Sequence, residues 1–443
     1  MQVFVLALFC CVMLSDFLIQ QLSLPPFARF LPEVLSCVLI LYVVVAGTRD
    51  RFRLVAPKYW LFFGAMALVM LCGIINSDPG AGPLISGMRL YLRAVPLFFL
   101  PAVLPMTEEQ LKRQLNLLLT LAFVQLPVAA YQRWVIMSEG RSSGDPVQGT
   151  LMDSGILSIF LICAALVLTG LLLKRRIGRV RYALLFLLLL FPTTINETKV
   201  TVILLPFGLL TALILGADKG KRLRYAGMAL ALLVVFGAIF VPIYDKMEEN
   251  DPYKIRIVDF FTNQQQLNRY FVSKDARTGL GGTKPARRGD AMRIPIEYLA
   301  KDPVLLAFGL GVGNASPSTL GKNFQGSYYI LFQSVLTLSF SFFILEFGVF
   351  GVLLIAALFW MVFSDTLAVA HRDRTLTGAL ATGWIGVVAV FLLATIYTAY
   401  QYFTSVTYLY WYFSGVICAR AMSLRLETVR HHPAVQPRLN PVG

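Results

Sequence analysis

Long apolar segments alternate with short polar connections along almost the whole chain. A membrane-spanning helix needs about 20 mostly apolar residues to cross roughly 30 Å of hydrocarbon, and these segments repeatedly approach that length. The pattern therefore predicts about twelve membrane-spanning helices. Their approximate limits are 2–21, 30–47, 59–76, 87–105, 117–135, 155–173, 182–195, 200–217, 225–244, 341–364, 378–397 and 403–421.

One long polar stretch interrupts this pattern. Residues 1–244 hold the first nine predicted spans, residues 245–340 form a large loop, residues 341–421 hold the last three spans, and residues 422–443 form a short tail. A connection as long as this loop is usually functional or disordered. Its segment 290–301 has apolar side chains at helical spacing, and a proline at 303 and glycines at 309–313 end that short helix.

The composition agrees with a bilayer as the solvent. The chain is 57% hydrophobic and only 14% charged, whereas soluble domains have roughly a quarter of their residues charged. The expected fold class is an all-α integral membrane protein with one large loop containing short helices. No separate soluble domain is expected.

The net charge of +15 reflects topology and does not indicate nucleic acid as a partner. Clusters of Lys and Arg follow the second, sixth and eighth predicted spans, at residues 49–58, 174–181 and 219–224. All three connections lie on one side, which the positive-inside rule assigns to the cytoplasm. We therefore expect both termini to be cytoplasmic, the first span to be retained as a helix, and the large loop to face outward.

Neither disulfides nor a metal centre is expected. All six cysteines fall inside apolar segments, which argues against disulfides and a thiolate metal site. The three histidines lie on the predicted cytoplasmic side, so they cannot serve a site on the outer side. Metal-ligand spacing is absent from the predicted outer segments, and no cofactor is predicted.

The outer loop is unexpectedly basic. Between residues 269 and 293 it has seven basic residues and two acidic ones, a surplus of +5 on the side that positive charge normally avoids. The cations match a phosphate-bearing ligand, and the alternative is a solvated loop that contacts anionic lipid headgroups. Arg288 opens the predicted short helix and is the best single candidate for a phosphate contact. The basic residues are Arg269, Lys274, Arg277, Lys284, Arg287, Arg288 and Arg293.

Three further cations lie near the predicted outer face. Lys199 lies in the four-residue turn 196–199, where it either contacts substrate or anchors the turn at the headgroups. Arg89 and Arg93 are four residues apart on one face of the fourth span. Burying a charge at the centre of a bilayer costs roughly 3 kcal/mol or more. This pair should therefore face a cavity, water or headgroups.

Three acids on the same side could accept a proton from a hydroxyl group, although each also fits a structural role. They are Asp153, Glu297 and Glu346. Glu297 leads because it shares the predicted short helix with Arg288 and Arg293. The glycines of 309–313 are weak as a nucleotide motif because no strand precedes them, and they favour a tight backbone turn at the rim of a cavity.

In this order and placement, the motifs resemble those of the O-antigen polymerase and O-antigen ligase family of bacterial envelopes, over most of the chain. The family's loop has an Arg that opens a short helix, then a Pro and a Gly-x-Gly turn, matched here by Arg288, Pro303 and Gly309–Gly313. Looser matches are Gly149-Thr150 before the sixth span and the Glu-x-Gly helix start at Glu346.

Two departures from the family pattern bear on function. The family usually has Ser-Arg before its eighth span, whereas this chain has Thr198-Lys199, which keeps the cation but loses the bidentate fork. Ligases have a His-Asn pair shortly before the Glu-x-Gly helix, where this chain reads Leu338-Ser339-Phe340-Ser341. The missing His favours a polymerase.

The resemblance implies a GT-C-like fold in the bacterial inner membrane. It implies a metal-independent glycosyltransferase that moves glycan from an undecaprenyl-pyrophosphate donor to a lipid-linked acceptor at the outer leaflet. Arg288, Arg293 and Glu297 would be catalytic, with Glu297 as the base. Substrate binding would involve Lys199, Arg287, Lys284, Arg277, Arg89 and Arg93.

The implied partners are the lipid-linked oligosaccharide, membrane lipids, a chain-length regulator and a flippase. Two alternatives stay open. One is a ligase that joins finished polymer to a lipid core, and the other is a transporter of lipid-linked sugars, which commonly shows paired repeats that are not evident here.

Overall fold

The structure is a computed structural model, and it describes residues 2–21, 23–50, 52–104, 106–137, 147–196, 198–247, 262–265, 271–272 and 279–431. Every regular element within these ranges is helical. Three of the basic residues named above lie outside the described residues, namely Arg269, Lys274 and Arg277.

Helices occupy all twelve segments in which we predicted spans. Before the large loop they are α1 (Gln2–Gln21), α2 (Leu31–Asp50), α3 (Pro57–Ser77), α4 (Ala81–Leu92), α5 (Val95–Val103), α6 (Glu108–Tyr131), α7 (Ser154–Leu173), α8 (Arg179–Ile195), α9 (Thr201–Gly216) and α10 (Arg222–Met247). After it they are α14 (Ser339–Arg372), α15 (Leu376–Ala394) and α16 (Thr404–His431). The fourth predicted span is two helices, α4 and α5, bent by 43°.

The chain is a multi-pass membrane protein. Among the described residues, eight helices are long and apolar enough to cross a bilayer, namely α1, α2, α3, α6, α7, α10, α14 and α15, and the bent pair α4–α5 makes nine. The other predicted spans meet these limits less well. Helices α8 and α9 have 17 and 16 residues, and α16 carries tyrosines and a charged end that lower its hydropathy.

Helices α7 and α15 form the centre of the bundle. In each, 83% of the apolar window is buried, against 28% in α1, α2 and α3. Glycines let the two helices cross closely, because a Cβ at Gly170 would overlap the Ala379 carbonyl and one at Gly383 would overlap that of Leu166. Small residues at crossings are the usual basis of helix packing in membranes. The peripheral helices leave their apolar faces for lipid.

The described part of the large loop contains three short α-helices, α11 (Arg288–Leu299), α12 (Pro303–Phe308) and α13 (Tyr329–Phe332). Helix α11 confirms the predicted amphipathic helix, which begins two residues earlier than expected. Its apolar residues Ala291 and Leu299 are fully buried. Asp302 begins the next helix by accepting the Val304 N–H at 2.8 Å. We call the end of the bundle that carries these helices the loop end, and the opposite end the tail end.

The glycine segment 309–313 is a tight turn that packs against α3, α4 and α14. Gly309, Gly311 and Gly313 have φ of 76°, 82° and 80°, which favours glycine. A Cβ at Gly311 would lie 2.9 Å from the Gly73 carbonyl oxygen of α3, and one at Gly313 would overlap that of Pro83 in α4. The predicted backbone turn is confirmed, and close approach to α3 and α4 explains its composition.

Ion pairs fix α16 to the bundle at the tail end. Asp365 of α14 is buried and contacts Lys58 at 2.8 Å and Arg425 at 2.6 Å. Asp373, in the connection after α14, pairs with Arg420 at 2.8 Å. Burial alone would raise the pKa of Asp373, but the hydrogen bond and charge of Arg420, with a backbone N–H, hold that pKa below its ordinary value.

Candidate functional site

Arg288 is held over an aromatic ring at the loop end. It opens α11, and its Cζ lies 4.4 Å from the centroid of the Tyr397 ring, in the connection between α15 and α16. A cation over an aromatic face is attracted by the negative face of the ring. Helix α11 is docked on α14, where Ser341 Oγ donates to the Ala291 carbonyl at 2.8 Å. The guanidinium group therefore has a fixed place in the bundle.

The start of α7 lies beside Tyr397. A Cβ at Gly155 would lie 3.6 Å from Tyr397 Cε1 and 3.1 Å from Asp153 Oδ1, so the ring and the carboxylate lie beside the same glycine. Asp153 caps the helix, because its Oδ1 accepts the Ile156 N–H at 2.8 Å. Arg288, Tyr397 and the α7 N-terminus thus form one continuous surface. A helix N-terminus also favours negative charge nearby.

The turn that carries Lys199 is held against the same helix start. Asn196 Nδ2 donates to the Ser154 carbonyl and to Ser158 Oγ, both at 3.0 Å. Lys199 Nζ lies 5.7 Å from the centroid of the Tyr244 ring of α10. The start of α11 and the turn that carries Lys199, which are 89 positions apart, therefore both pack near the N-terminus of α7, whereas the Lys199 ammonium group itself lies over the Tyr244 ring of α10.

A polar cleft of about 190 Å³ adjoins this surface. Residues 150–152, which precede Asp153, form part of its wall, and parts of α1, α2, α4 and the segments 317–319 and 402–405 form the rest. Arg89 and Arg93 both line the cleft. The sequence left a cavity, water or headgroups open as surroundings for this pair, and the structure places both residues at a cavity.

Glu33 of α2 holds both arginines. Arg89 makes a bidentate pair with it, at 2.6 Å and 2.7 Å, and Arg93 Nη1 lies 3.0 Å from Glu33 Oε1. The second Arg93 nitrogen donates to the Gln401 and Tyr402 carbonyls at 2.9 Å and 2.8 Å. Sequence inspection missed Glu33. The signal was an acid inside an apolar segment, which needs a cationic partner.

Two glutamines of α6 and its extension clamp the wall segment before Asp153, and they were also missed. Gln125 Oε1 accepts the Thr150 N–H at 2.8 Å. Gln132 Oε1 accepts the Gly149 N–H at 2.8 Å, and its Nε2 donates to the Gly149 carbonyl at 2.7 Å. Gln125 is fully buried, so its amide contributes to the position of the segment rather than to solubility. The Gly149-Thr150 pair is the part of the segment whose backbone these glutamines bind.

Glu346 lies behind the cleft. It is fully buried, and its Oε1 accepts from Ser316 Oγ at 2.7 Å and from the Ala315 N–H at 3.3 Å. Ser316 in turn accepts from the Tyr402 hydroxyl at 3.1 Å. Glu346 therefore ties the segment after the glycine turn to α14 and to the cleft wall.

Arg293 and Glu297 lie on the outward face of α11. Arg293 pairs with Asp290 at 3.3 Å and with Glu297 at 3.1 Å, and the Arg293 and Glu297 side chains are 61% and 58% exposed. Within the described residues, their ion pairs are with α11 itself and not with α7. The structure does not bring them to the surface around Tyr397, and their catalytic roles stay predictions.

The basic segment before α11 runs along the loop helices. Its backbone is fixed by two hydrogen bonds, from Gly281 N to the Leu331 carbonyl at 2.7 Å and from Ala286 N to the Ser334 carbonyl at 2.6 Å. Lys284 and Arg287 are exposed on this segment. They lie directly before Arg288, as an approach path for an anionic ligand requires. Arg277 is not among the described residues.

The loop end can therefore bind an anion beside a hydroxyl-bearing ligand. Arg288, Lys199 and the α7 N-terminus contribute positive potential, and Asp153 contributes a carboxylate. The neighbouring cleft offers charged and polar groups. In the described part of the chain, no group of three or more His, Cys, Asp or Glu residues is arranged to hold a metal ion.

No protein-family model matches this sequence, and no curated protein matches it either. The function of the chain must therefore be argued from the chemistry of the loop end.

Proposed function

We propose that this chain is a polysaccharide polymerase. It transfers glycan from an undecaprenyl-pyrophosphate donor to the hydroxyl of a lipid-linked acceptor glycan at the outer leaflet of the bacterial inner membrane. The observation that carries the proposal is the placement of Arg288 at the loop end, over Tyr397 and beside the α7 N-terminus. The positive-inside rule predicts that this end faces outward, where positive charge is uncommon. A lipid pyrophosphate is an anion that such a surface suits.

In the proposed reaction, the acceptor hydroxyl attacks the anomeric carbon of the donor. The bond from that carbon to the pyrophosphate oxygen breaks, and the lipid pyrophosphate leaves with the electron pair. Negative charge grows on the leaving oxygen, and a guanidinium fixed before the reaction stabilises it without reorganising. We assign this role to Arg288. Lys199 assists from the turn that packs on the start of α7.

The hydroxyl proton goes to a carboxylate. Of the three candidate acids, Glu346 is buried behind the cleft wall and Glu297 pairs with Arg293 on an exposed face. Asp153 Oδ1 lies beside Gly155, and so does the Tyr397 ring, which Arg288 covers. Asp153 is therefore our candidate for the base, in place of Glu297.

The proposed architecture is a GT-C-like bundle of twelve spans, with the residues before α1 and after α16 in the cytoplasm. Basic residues support this orientation, since they cluster after α2, between α7 and α8, and between α9 and α10. The loop end would then face the periplasm. This is the side on which a lipid-linked donor is available after translocation.

The direct test removes the guanidinium. In a strain that lacks the gene, Arg288→Ala should reduce polymer at least about 100-fold, the loss typical for one transition-state donor. Arg288→Lys should retain partial activity, because it keeps the charge but loses the fork. Polysaccharide ladders on a gel measure the effect, and an epitope tag measures the amount of protein in the membrane.

Lys301→Ala is the matched control, since Lys301 is a cation just beyond the opposite end of α11 and its Nζ lies over the Tyr298 ring. It should leave the ladder unchanged. Normal chain lengths from Arg288→Ala would refute the assignment.

A purified system separates the polymerase from its alternatives. The protein in nanodiscs is supplied with lipid-linked repeats and no lipid-core acceptor. Elongated lipid-linked products support a polymerase. Product that forms only after core acceptor is added would identify a ligase, and movement of the repeats across proteoliposomes without new bonds would identify a transporter.

A further inference from the structure

A second cavity, of about 220 Å³, lies inside the bundle among α3, the α4–α5 break, α14 and α16. Most of its lining is aromatic, aliphatic or methionine side chains. Examples are Phe62, Met66, Phe343, Phe347 and Trp411. Water gains few hydrogen bonds in such a space, so an apolar occupant is favoured.

The break between α4 and α5 accounts for this space. All four residues of the break and its flanks, Leu92 to Val95, line the cavity. The chain bends by 43° there. Pro96 follows immediately in the first turn of α5, which suits a new helix start and cannot continue the hydrogen bonds of α4.

The cavity is partly open between α3 and the α4–α5 break. Two of its lining residues, Ala67 of α3 and Leu92 of α4, are exposed, whereas Phe359 and Tyr410 are buried. An apolar chain in the bilayer can therefore enter between α3 and the α4–α5 break without crossing a polar surface.

The cavity also meets the polar cleft. Leu90 and Arg93 line both spaces. Glu33 and two backbone carbonyls hold Arg93 in place, so the boundary between the apolar and polar compartments is fixed. A single molecule that fills both spaces must have a long apolar chain joined to a strongly polar head.

We propose that this cavity binds the isoprenoid chain of the lipid-linked acceptor, whose glycan then lies in the cleft beside Asp153. The identity of the chain rests on the proposed function. One cavity admits one chain, which matches a polyprenyl lipid and not a phospholipid with two acyl chains. Aromatic rings and flexible methionines also pack well against a methyl-branched, unsaturated chain.

Tryptophan fluorescence tests the occupant directly. Trp411 lines the cavity, whereas Trp360 of α14 is 69% exposed on the outside of the bundle. Two full-length proteins each keep one of these tryptophans and carry Phe at the other four positions. Both are placed in nanodiscs of phosphatidylglycerol with brominated acyl chains, which quench tryptophan on contact. Undecaprenyl phosphate is then added without bromine.

Binding in the cavity predicts a saturable rise in Trp411 emission at about one undecaprenyl phosphate per protein, with no change at Trp360. Three outcomes would overturn the proposal. They are no change at Trp411, an equal change at both tryptophans, or the same Trp411 rise when unbrominated phosphatidylglycerol is added in place of undecaprenyl phosphate. The last outcome would mean that a bilayer acyl chain fills the cavity.

A variant at the cavity opening gives a second test. Ala67→Phe should weaken undecaprenyl phosphate binding roughly tenfold, the effect of excluding about two methylene groups. Gly64→Phe is the matched control, because Gly64 lies one turn earlier on α3 and a Cβ there meets nothing within 4 Å. It should bind normally. Unchanged binding by folded Ala67→Phe would count against the site.

This measurement needs no turnover, so the two proposals can fail separately. A protein that binds undecaprenyl phosphate at Trp411 but forms no polymer would refute the proposed function alone. A protein that polymerises without any Trp411 response would refute the cavity alone.

Discussion

At the scale of single residues, the proton acceptor can be tested directly. The sequence favoured Glu297, whereas we propose Asp153. We expect Asp153→Asn to lower polymerisation by about 10²- to 10⁴-fold, the usual contribution of a general base. Asn is as good an N-cap as Asp, so α7 should still begin correctly and the loss can be assigned to the charge. Initial rates with purified lipid-linked repeats measure the effect.

Glu297→Gln is the comparison, because this change breaks only an exposed pair with Arg293. Exposed ion pairs contribute about 0–1 kcal/mol, so little should change. If Glu297→Gln loses activity and Asp153→Asn keeps it, the base is the residue that the sequence alone favoured.

The residues of the site were predicted to different degrees, for physical reasons. Arg288 could be predicted because a cation that opens an amphipathic helix is a local pattern. Its partner Tyr397 could not, since the contact joins residues 109 positions apart. The pair of Arg89 and Glu33 likewise depends on how α2 and α4 pack. Charge type is local information, whereas the partner of a charge is set by tertiary structure.

At the scale of elements, the glycine turn gives a test that separates conformation from packing. Gly313 and Gly281 both have positive φ, 80° and 70°, but only Gly313 faces another backbone closely. Gly281→Ala should cost roughly 1–2 kcal/mol for the left-handed conformation. Gly313→Ala should cost about 1–3 kcal/mol more, because its Cβ overlaps the Pro83 carbonyl of α4.

The thermal midpoint of the detergent-solubilised protein, followed by size-exclusion chromatography, ranks the two variants. Equal midpoints would show that the turn is under no packing constraint from α4.

The positions of the helices were largely predictable, but some of their ends and the breaks within them were not. Apolar length marks where a helix can cross a bilayer, and it located every long helix, although α6 begins at Glu108 instead of 117, α14 ends at Arg372 instead of 364 and α16 ends at His431 instead of 421. It treated residues 87–105 as one span, whereas the chain breaks before Val95. Pro96 was the available signal. The sequence signal for the kink in α14 at Gly348, where φ is 65°, was weaker, because a single glycine in an apolar helix is common in membranes.

At the scale of the whole molecule, the side on which the large loop lies does not depend on whether α8 and α9 cross the membrane. Helices α8 and α9 are short, about 24–26 Å at 1.5 Å per residue, against roughly 30 Å of hydrocarbon. They follow each other directly, so they either both cross or both stay partly inserted. If the bent pair α4–α5 crosses as one span, an odd number of spans precedes the loop in either case. We therefore expect the loop to face away from the residues before α1.

This argument predicts the outcome of reporter fusions. Alkaline phosphatase inserted at Lys322, an exposed position in the loop, should be active because the enzyme needs the periplasm to fold. Green fluorescent protein inserted at Gly220 or fused after Gly443 should fluoresce, since both positions should be cytoplasmic. Active phosphatase at Gly220 would invert the orientation. It would place Arg288 and the cleft in the cytoplasm, where a nucleotide-activated sugar would be the more natural donor than a translocated lipid pyrophosphate.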